Sequence, residues 1–187
     1  DGGYYTNWDF DQDIVKTYLE SFNHLPIEFL EVGYRSDAKK EYMGEYFYCP
    51  IETLTRLKSI SQKKLVIILN EKDVQIIDLP KLLSHCLGYI SMVRLAIDPD
   101  NFGRALKLAS EVKKMGFEVG FNVMYMSTWK ENKEFLKLIP EVENIADYFY
   151  MVDSYGGVYP EDVIEIIRLV KSMIPNVPLG FHGHNNL

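Results

Sequence analysis

Several features that would settle a function class at once are missing from this sequence. It has no run of about 18 apolar residues, which removes a membrane-spanning helix. No basic n-region precedes an apolar h-region, so a signal peptide is not expected. Basic residues are in the minority, 20 Lys and Arg against 27 Asp and Glu, for a formal net charge of -7. That balance argues against a nucleic-acid partner, which needs a basic face. It also means that an anionic substrate must be held by a few placed cations instead of a broad field. Cysteine is scarce: Cys49 and Cys86 share no metal-ligand spacing and read as reduced structural thiols of a cytoplasmic protein. Gly2-Gly3 and Gly156-Gly157 lack the spacing of a dinucleotide fingerprint or a phosphate loop. Linkers, low-complexity tracts and repeats are absent as well.

What is present is an alternation. Short apolar runs, Ile27–Gly33, Leu65–Leu69, Met92–Ile97, Glu118–Met124, Tyr148–Val152 and Pro178–His182, have the length of buried strands. Between them, residues 11–22, 50–59, 79–87, 100–115, 130–139 and 160–173 have helical character, with Asp100-Asn101 and Pro160-Glu161-Asp162 as start signals. Strict alternation predicts parallel strands with crossover helices, an α/β fold. Periodicity leaves a (β/α)₈ TIM barrel and an open doubly wound sheet both standing. With a further strand ending at the extreme N-terminus, about seven of eight barrel units are expected, since a whole barrel needs about 250 residues. Residues 1–187 are expected to form a single domain, the N-terminal part of a longer protein, because the chain opens on Asp1 and stops just after a motif.

That motif is Gly180-Phe181-His182-Gly183-His184-Asn185-Asn186-Leu187. Side chains two apart on a strand share a face, so His182 and His184 can chelate one ion at the strand's C-terminal end, where barrel active sites assemble. A structural or solvated pair is the plainer alternative, and His24 and His85 are expected at the surface. Catalytic metal sites usually add a carboxylate. Asp1, Asp98 and Asp153 each stand at a suitable strand end.

Asp1-Gly2-Gly3, Glu31-Val32-Gly33-Tyr34-Arg35-Ser36, Val152-Asp153-Ser154 and His182-Gly183-His184-Asn185 together resemble the metal-dependent pyruvate aldolase and hydroxymethylglutaryl-CoA lyase superfamily. It includes 4-hydroxy-2-oxovalerate aldolase, isopropylmalate synthase and homocitrate synthase. The resemblance runs the length of the chain and implies the barrel, truncated at both ends. It implies Asp1, His182 and His184 as metal ligands, with Mn²⁺ or Mg²⁺ favoured and Zn²⁺ or Co²⁺ possible. It further implies a lyase that makes or breaks a carbon–carbon bond beside a 2-oxo acid carbonyl through a metal-stabilised enolate. The family places an enolate-stabilising arginine just before the aspartate, a position this chain does not contain, so the fragment alone is expected to be inactive. The hydroxy-oxovalerate aldolases also carry a catalytic histidine shortly after the aspartate, where this sequence has Tyr4 and Tyr5. An unperturbed tyrosine, with a pKa near 10, is a poor general base at neutral pH. An acyl-CoA condensing synthase, and a barrel that has lost catalysis and serves for binding, therefore stand as alternatives; a non-haem iron oxygenase ranks below them.

Further site residues follow from position. Tyr4, Tyr5, Arg35 and Asp153 are the expected catalytic set; Arg94, Asn122 and Asn185 are expected to bind substrate. Arg35, two and four residues past Gly33 and Glu31, is expected either to pair with Glu31 or to hold a substrate carboxylate. Tyr155-Gly156-Gly157 suggests a mobile loop or a plain turn, and the aromatic stretch Tyr42–Tyr48 a lid or a partner surface. The partner is a small 2-oxo acid or acyl substrate, with neither nucleic acid nor membrane. An incomplete barrel exposes a sheet edge, so a homo-oligomer is expected.

Overall fold

The apolar runs line up side by side in chain order. A computed structural model describes residues 2–184. Its elements are α1 (Gly3–Thr6), α2 (Gln12–Asn23), β1 (Phe29–Tyr34), α3 (Glu45–Tyr48), α4 (Ile51–Ile60), β2 (Lys64–Asn70), α5 (Leu79–Leu83), β3 (Ile90–Ile97), α6 (Phe102–Lys114), β4 (Glu118–Val123), α7 (Lys133–Leu138), β5 (Tyr148–Asp153), α8 (Pro160–Met173) and β6 (Leu179–Gly183), joined by short 3₁₀ turns. All neighbouring strands are parallel, and the sheet order is β1-β2-β3-β4-β5-β6. A doubly wound sheet reverses its strand order at a switch point; this one never does, and it curls into an incomplete barrel. The described residues hold six strands. The seventh, expected to end at the N-terminus, is not among them: Gly3–Thr6 is a helical turn, and residue 1 lies outside the described part.

Local chemistry explains the helix boundaries. Asp11 accepts from the backbone N–H groups of Asp13 and Ile14 and caps α2. Pro160, Glu161 and Asp162 fill the first turn of α8, where a missing N–H costs nothing and negative charge meets the positive helix end. Lys113 and Lys114 close α6.

The two faces of the sheet have separate roles. Leu65, Ile67, Leu69, Val93, Leu95, Ile97, Val119, Phe121, Val123, Phe149 and Met151 point outward into the helices, where they join Leu54, Leu57, Ala105, Leu108, Val112, Ile166 and Val170 in one core. Each large side chain buried there contributes about 1.5–3 kcal/mol, so the stability of the fold lies mainly in this layer. The alternate residues face the barrel interior. Cys49 and Cys86 are free and buried, and burial pushes the Cys49 thiol up to about 12, as expected of structural thiols. No described helix is long and apolar enough to cross a membrane. His24 and His85 are exposed.

The stretch Tyr42–Tyr48 is mostly core, a correction to the lid or partner surface expected of it. Tyr46 and Phe47 are buried, and only Tyr42 stands well out, donating its hydroxyl to Asp9 at 2.8 Å. Trp8 packs edge-on against Phe47 and Tyr34, and Phe47 stacks on Tyr34. Backbone bonds from Gly44 to Asn7 (2.7 Å) and from Tyr46 to Trp8 (3.3 Å) tie this stretch to the N-terminal segment. The resulting aromatic wall stands over the end of β1. Gly33 makes its close approach possible: its φ is +153°, and a Cβ there would lie 2.1 Å from the Tyr46 carbonyl oxygen.

Candidate active site

Interior-facing residues converge at the C-terminal ends of the strands. Glu31 and Tyr34 on β1, Ile68 on β2, Arg94 and Ala96 on β3, Asn122 on β4, Val152 on β5 and His182 on β6 line a cavity of about 800 Å³. Tyr4, Trp8 and the apolar side of α2 close one flank, and Ser154 and His184 stand at the mouth. Arg94 pairs with Glu31 (Nε–Oε2 2.8 Å, Nη2–Oε1 3.2 Å) and lies 5.4 Å from the centre of the Tyr150 ring. Burial raises the Glu31 carboxyl above its ordinary value, against the lowering effect of Arg94. The Tyr150 ring has room because its neighbours are glycines: a Cβ on Gly180 would lie 2.4 Å from the ring, and one on Gly120 3.3 Å.

His182 and His184 share the face that their spacing predicts, with ring centroids 4.8 Å apart and planes tilted by 31°. The Asp153 carbonyl, which can only accept, takes a hydrogen bond from His184 Nδ1 at 2.7 Å. In the neutral ring this places the lone pair on Nε2, the arrangement that orients metal-binding histidines. His182 Nδ1 is buried without a hydrogen-bond partner. Burial first, then the positive charge of Arg94 and His184, pulls the His182 pKa down to about 4. The ring is therefore neutral near pH 7 and available as a ligand. Among the described residues no three His, Cys, Asp or Glu side chains cluster; the pair supplies two donors, and Asp1 lies outside the described part.

The depressed pKa has a consequence for stability. Between about pH 6.5 and pH 4 the unfolded chain protonates His182 while the folded chain does not, so stability is complete above pH 6.5 and falls as the pH drops towards 4. The full shift would amount to about 3 kcal/mol, reduced to about 1–2 kcal/mol because the ring is only part-buried and solvent screens it. Urea melts at pH 7.5 and pH 4.5 should show that loss in the wild type and less of it in His182→Gln. Equal pH dependence in both would count against the assignment.

Three expected catalytic residues lie elsewhere. Arg35 donates to the carbonyls of Leu82 (2.6 Å), Tyr48 (2.7 Å) and Cys49 (3.3 Å), so it neither pairs with Glu31 nor faces the cavity. The cause is a bulge: Glu31 pairs with Val66 and Gly33 with Ile67, and the extra residue breaks the parity that placed Arg35 with Glu31. Asp153 sits on the outward side of β5 with Phe149 and Met151, and its carboxylate accepts from the backbone of Gly157 (3.2 Å) and Val158 (3.0 Å). It shapes the Tyr155-Gly156-Gly157 turn instead of reaching the cavity. Tyr5 is 90% exposed, outside the lining. Tyr4 does line the cavity, its hydroxyl 3.5 Å from that of Tyr34. Arg94 and Asn122 line the cavity, whereas Asn185 lies outside the described residues. Glu31 was expected beside Arg35 and pairs with Arg94 instead, while Tyr34 and the Tyr150 ring under Arg94 were not singled out. Interior parity along β5 was the signal that could have found Tyr150.

No family model matches the sequence. The 4-hydroxy-2-oxovalerate aldolase of Geobacillus genomosp. 3 is 38% identical over 106 residues, 52% of this chain and 29% of that protein. The Moorella thermoacetica aldolase of the same name is 26% identical over 193 aligned positions, 100% of this chain and 55% of that protein. The chain thus spans about half or less of the curated relatives it matches. Among solved structures, the N-terminal domain of a candidate aldolase from Bacteroides vulgatus superposes with a TM-score of 0.97 at 52% identity, covering 100% of this chain and 62% of that one. A candidate lyase/mutase from Burkholderia cenocepacia (TM-score 0.59, 8% identity) shares the fold alone. In sequence the chain is thus similar to part of the 4-hydroxy-2-oxovalerate aldolases, and in fold to the N-terminal domain of a candidate aldolase.

Proposed function

We propose that the chain forms most of the catalytic barrel of a divalent-metal-dependent lyase, which cleaves or forms a carbon–carbon bond beside the carbonyl of a 2-oxo acid. The observation that carries this reading is the His182–His184 pair, with its buried, partnerless Nδ1 and depressed His182 pKa, opening into the cavity at the end of β6. Two imidazoles together with one carboxylate suit Mn²⁺, Co²⁺, Zn²⁺ or Mg²⁺. The carboxylate of Asp1 is the proposed third ligand, because that of Asp153 is engaged by its own loop and that of Asp98 accepts from the Asp100 N–H. A divalent ion bound there supplies Lewis-acid polarisation of the substrate carbonyl.

The remaining groups position and screen. Arg94, held by Glu31 and lying over the Tyr150 ring, presents one oriented cation to the cavity. Trp8, Ile68 and Val152 keep the lining apolar, so polar contacts inside it are strengthened. Tyr4, and not Tyr5, faces the space where a proton must move. Burial raises the pKa of Tyr34 beside it, the wrong direction for a base.

The test uses the full-length protein with Mn²⁺ and pyruvate in D₂O, following the methyl protons by NMR. Exchange that needs no acyl-CoA is the expected result. Strict dependence on acyl-CoA would replace the aldolase by a condensing synthase. Absence of both metal binding and exchange would leave a binding domain.

A further inference from the structure

Four buried polar side-chain atoms lack a hydrogen-bond partner among the described residues: Arg94 Nε, Asn122 Oδ1, Glu143 Oε2 and His182 Nδ1. Three of the four residues line the same cavity. Buried polar groups are rarely left unsatisfied, since each costs about 1–3 kcal/mol, so their convergence marks the place of something that satisfies them. The imidazole belongs to the proposed metal site. Arg94 and Asn122 remain, on adjacent strands and both in the lining: Asn122 pairs in register with Tyr150, and the guanidinium lies over the Tyr150 ring. Arg94 Nε is close to Glu31, yet its N–H is not aligned on that carboxylate. Asn122 is only 6% exposed, and among the described residues no group reaches its amide oxygen.

Resting on the aldolase reading, we propose that Arg94 and Asn122 form a subsite for a hydroxyl on the aldehyde half of the substrate, so that the site prefers a hydroxyaldehyde to an alkyl aldehyde. A hydroxyl oxygen accepts from Arg94, and its hydrogen is donated to Asn122. Because a hydroxyl both donates and accepts, the match holds whichever way the amide is turned. An alkyl group would enter the same space and leave both protein groups unpaired, and sites built around a hydrogen bond discriminate against such analogues.

The experiment pairs two probes that differ by one oxygen, glycolaldehyde and acetaldehyde, each added to pyruvate by the full-length protein with Mn²⁺. The expected kcat/KM ratio favours glycolaldehyde by about 10-fold or more in the wild type and falls towards unity in Asn122→Leu. Taking a ratio cancels any general loss of activity in the variant. A second readout needs no turnover: in ¹⁵N-labelled protein the Asn122 side-chain amide resonance should shift with glycolaldehyde and not with acetaldehyde. A wild-type preference for acetaldehyde overturns the subsite, as does an unmoved amide, even if Asn122→Leu fails to fold. Exchange of the pyruvate methyl protons is read in the same samples. Exchange with the wrong preference defeats the subsite alone, whereas no exchange defeats the aldolase reading and the subsite with it.

Discussion

Gly33→Val is expected to yield little folded protein, and Gly33→Ala to lose about 3 kcal/mol or more in urea melts. Two costs add at this one position. The φ of +153° is a conformation that L side chains rarely adopt, and strain of this kind costs about 1–3 kcal/mol. The Cβ would also sit 2.1 Å from the carbonyl oxygen of Tyr46, a backbone atom tied to Trp8 through the Tyr46 N–H. The aromatic wall would have to move as a unit, and overpacking costs about 1–3 kcal/mol again. Against a total stability of about 5–15 kcal/mol the sum is severe. Gly116→Ala is the control: its φ is +97° with nothing within 4 Å, so it should lose only about 1 kcal/mol. Equal losses at the two positions would show that the Tyr46 carbonyl yields easily.

His182→Ala and His184→Ala are each expected to weaken Mn²⁺ binding by about 100-fold or more and to remove detectable pyruvate exchange. Changes in the groups that merely support metal ligands already cost about 10–100-fold, and a lost ligand removes a bond as well as its orientation. The two variants should differ in stability. His182→Ala relieves a buried polar atom without a partner, so it should melt no lower than the wild type at pH 5. His184→Ala breaks the contact to the Asp153 carbonyl and should loosen the turn after β5. Calorimetric Mn²⁺ titration of the full-length proteins, with near-ultraviolet circular dichroism to verify folding, decides the matter. Affinity within threefold of the wild type in both variants would remove the metal site from the proposal.

Strand positions were readable because the runs are short, apolar and bounded, and each observed strand starts and stops within a few residues of its expected range. The choice between barrel and open sheet was not readable from alternation, since both architectures interleave strands and helices; it depends on which strands become neighbours, a non-local property. The site was legible where strand parity held. His182 and His184 share their face, and Arg94 and Asn122 reach the cavity. Parity failed at Arg35 because of the β1 bulge, for which a glycine inside the strand, Gly33, was the available signal. At Asp153 it was available and unused: Tyr150 and Val152 face inward, so the next residue faces the helices. Aromatic residues in a loop look like a surface device until the packing of Trp8 on Phe47 is known, and no periodic signal links residues so far apart in sequence.

Tyr150 lies in space that two glycines leave open: a Cβ on Gly180 would meet its ring at 2.4 Å and one on Gly120 at 3.3 Å. Because Arg94 lies over that ring, the placement of the cation depends on two positions that carry no side chain. An alanine at position 180 would push on the ring and on the guanidinium above it, while the helix-facing residues of the same sheet stay packed in the core.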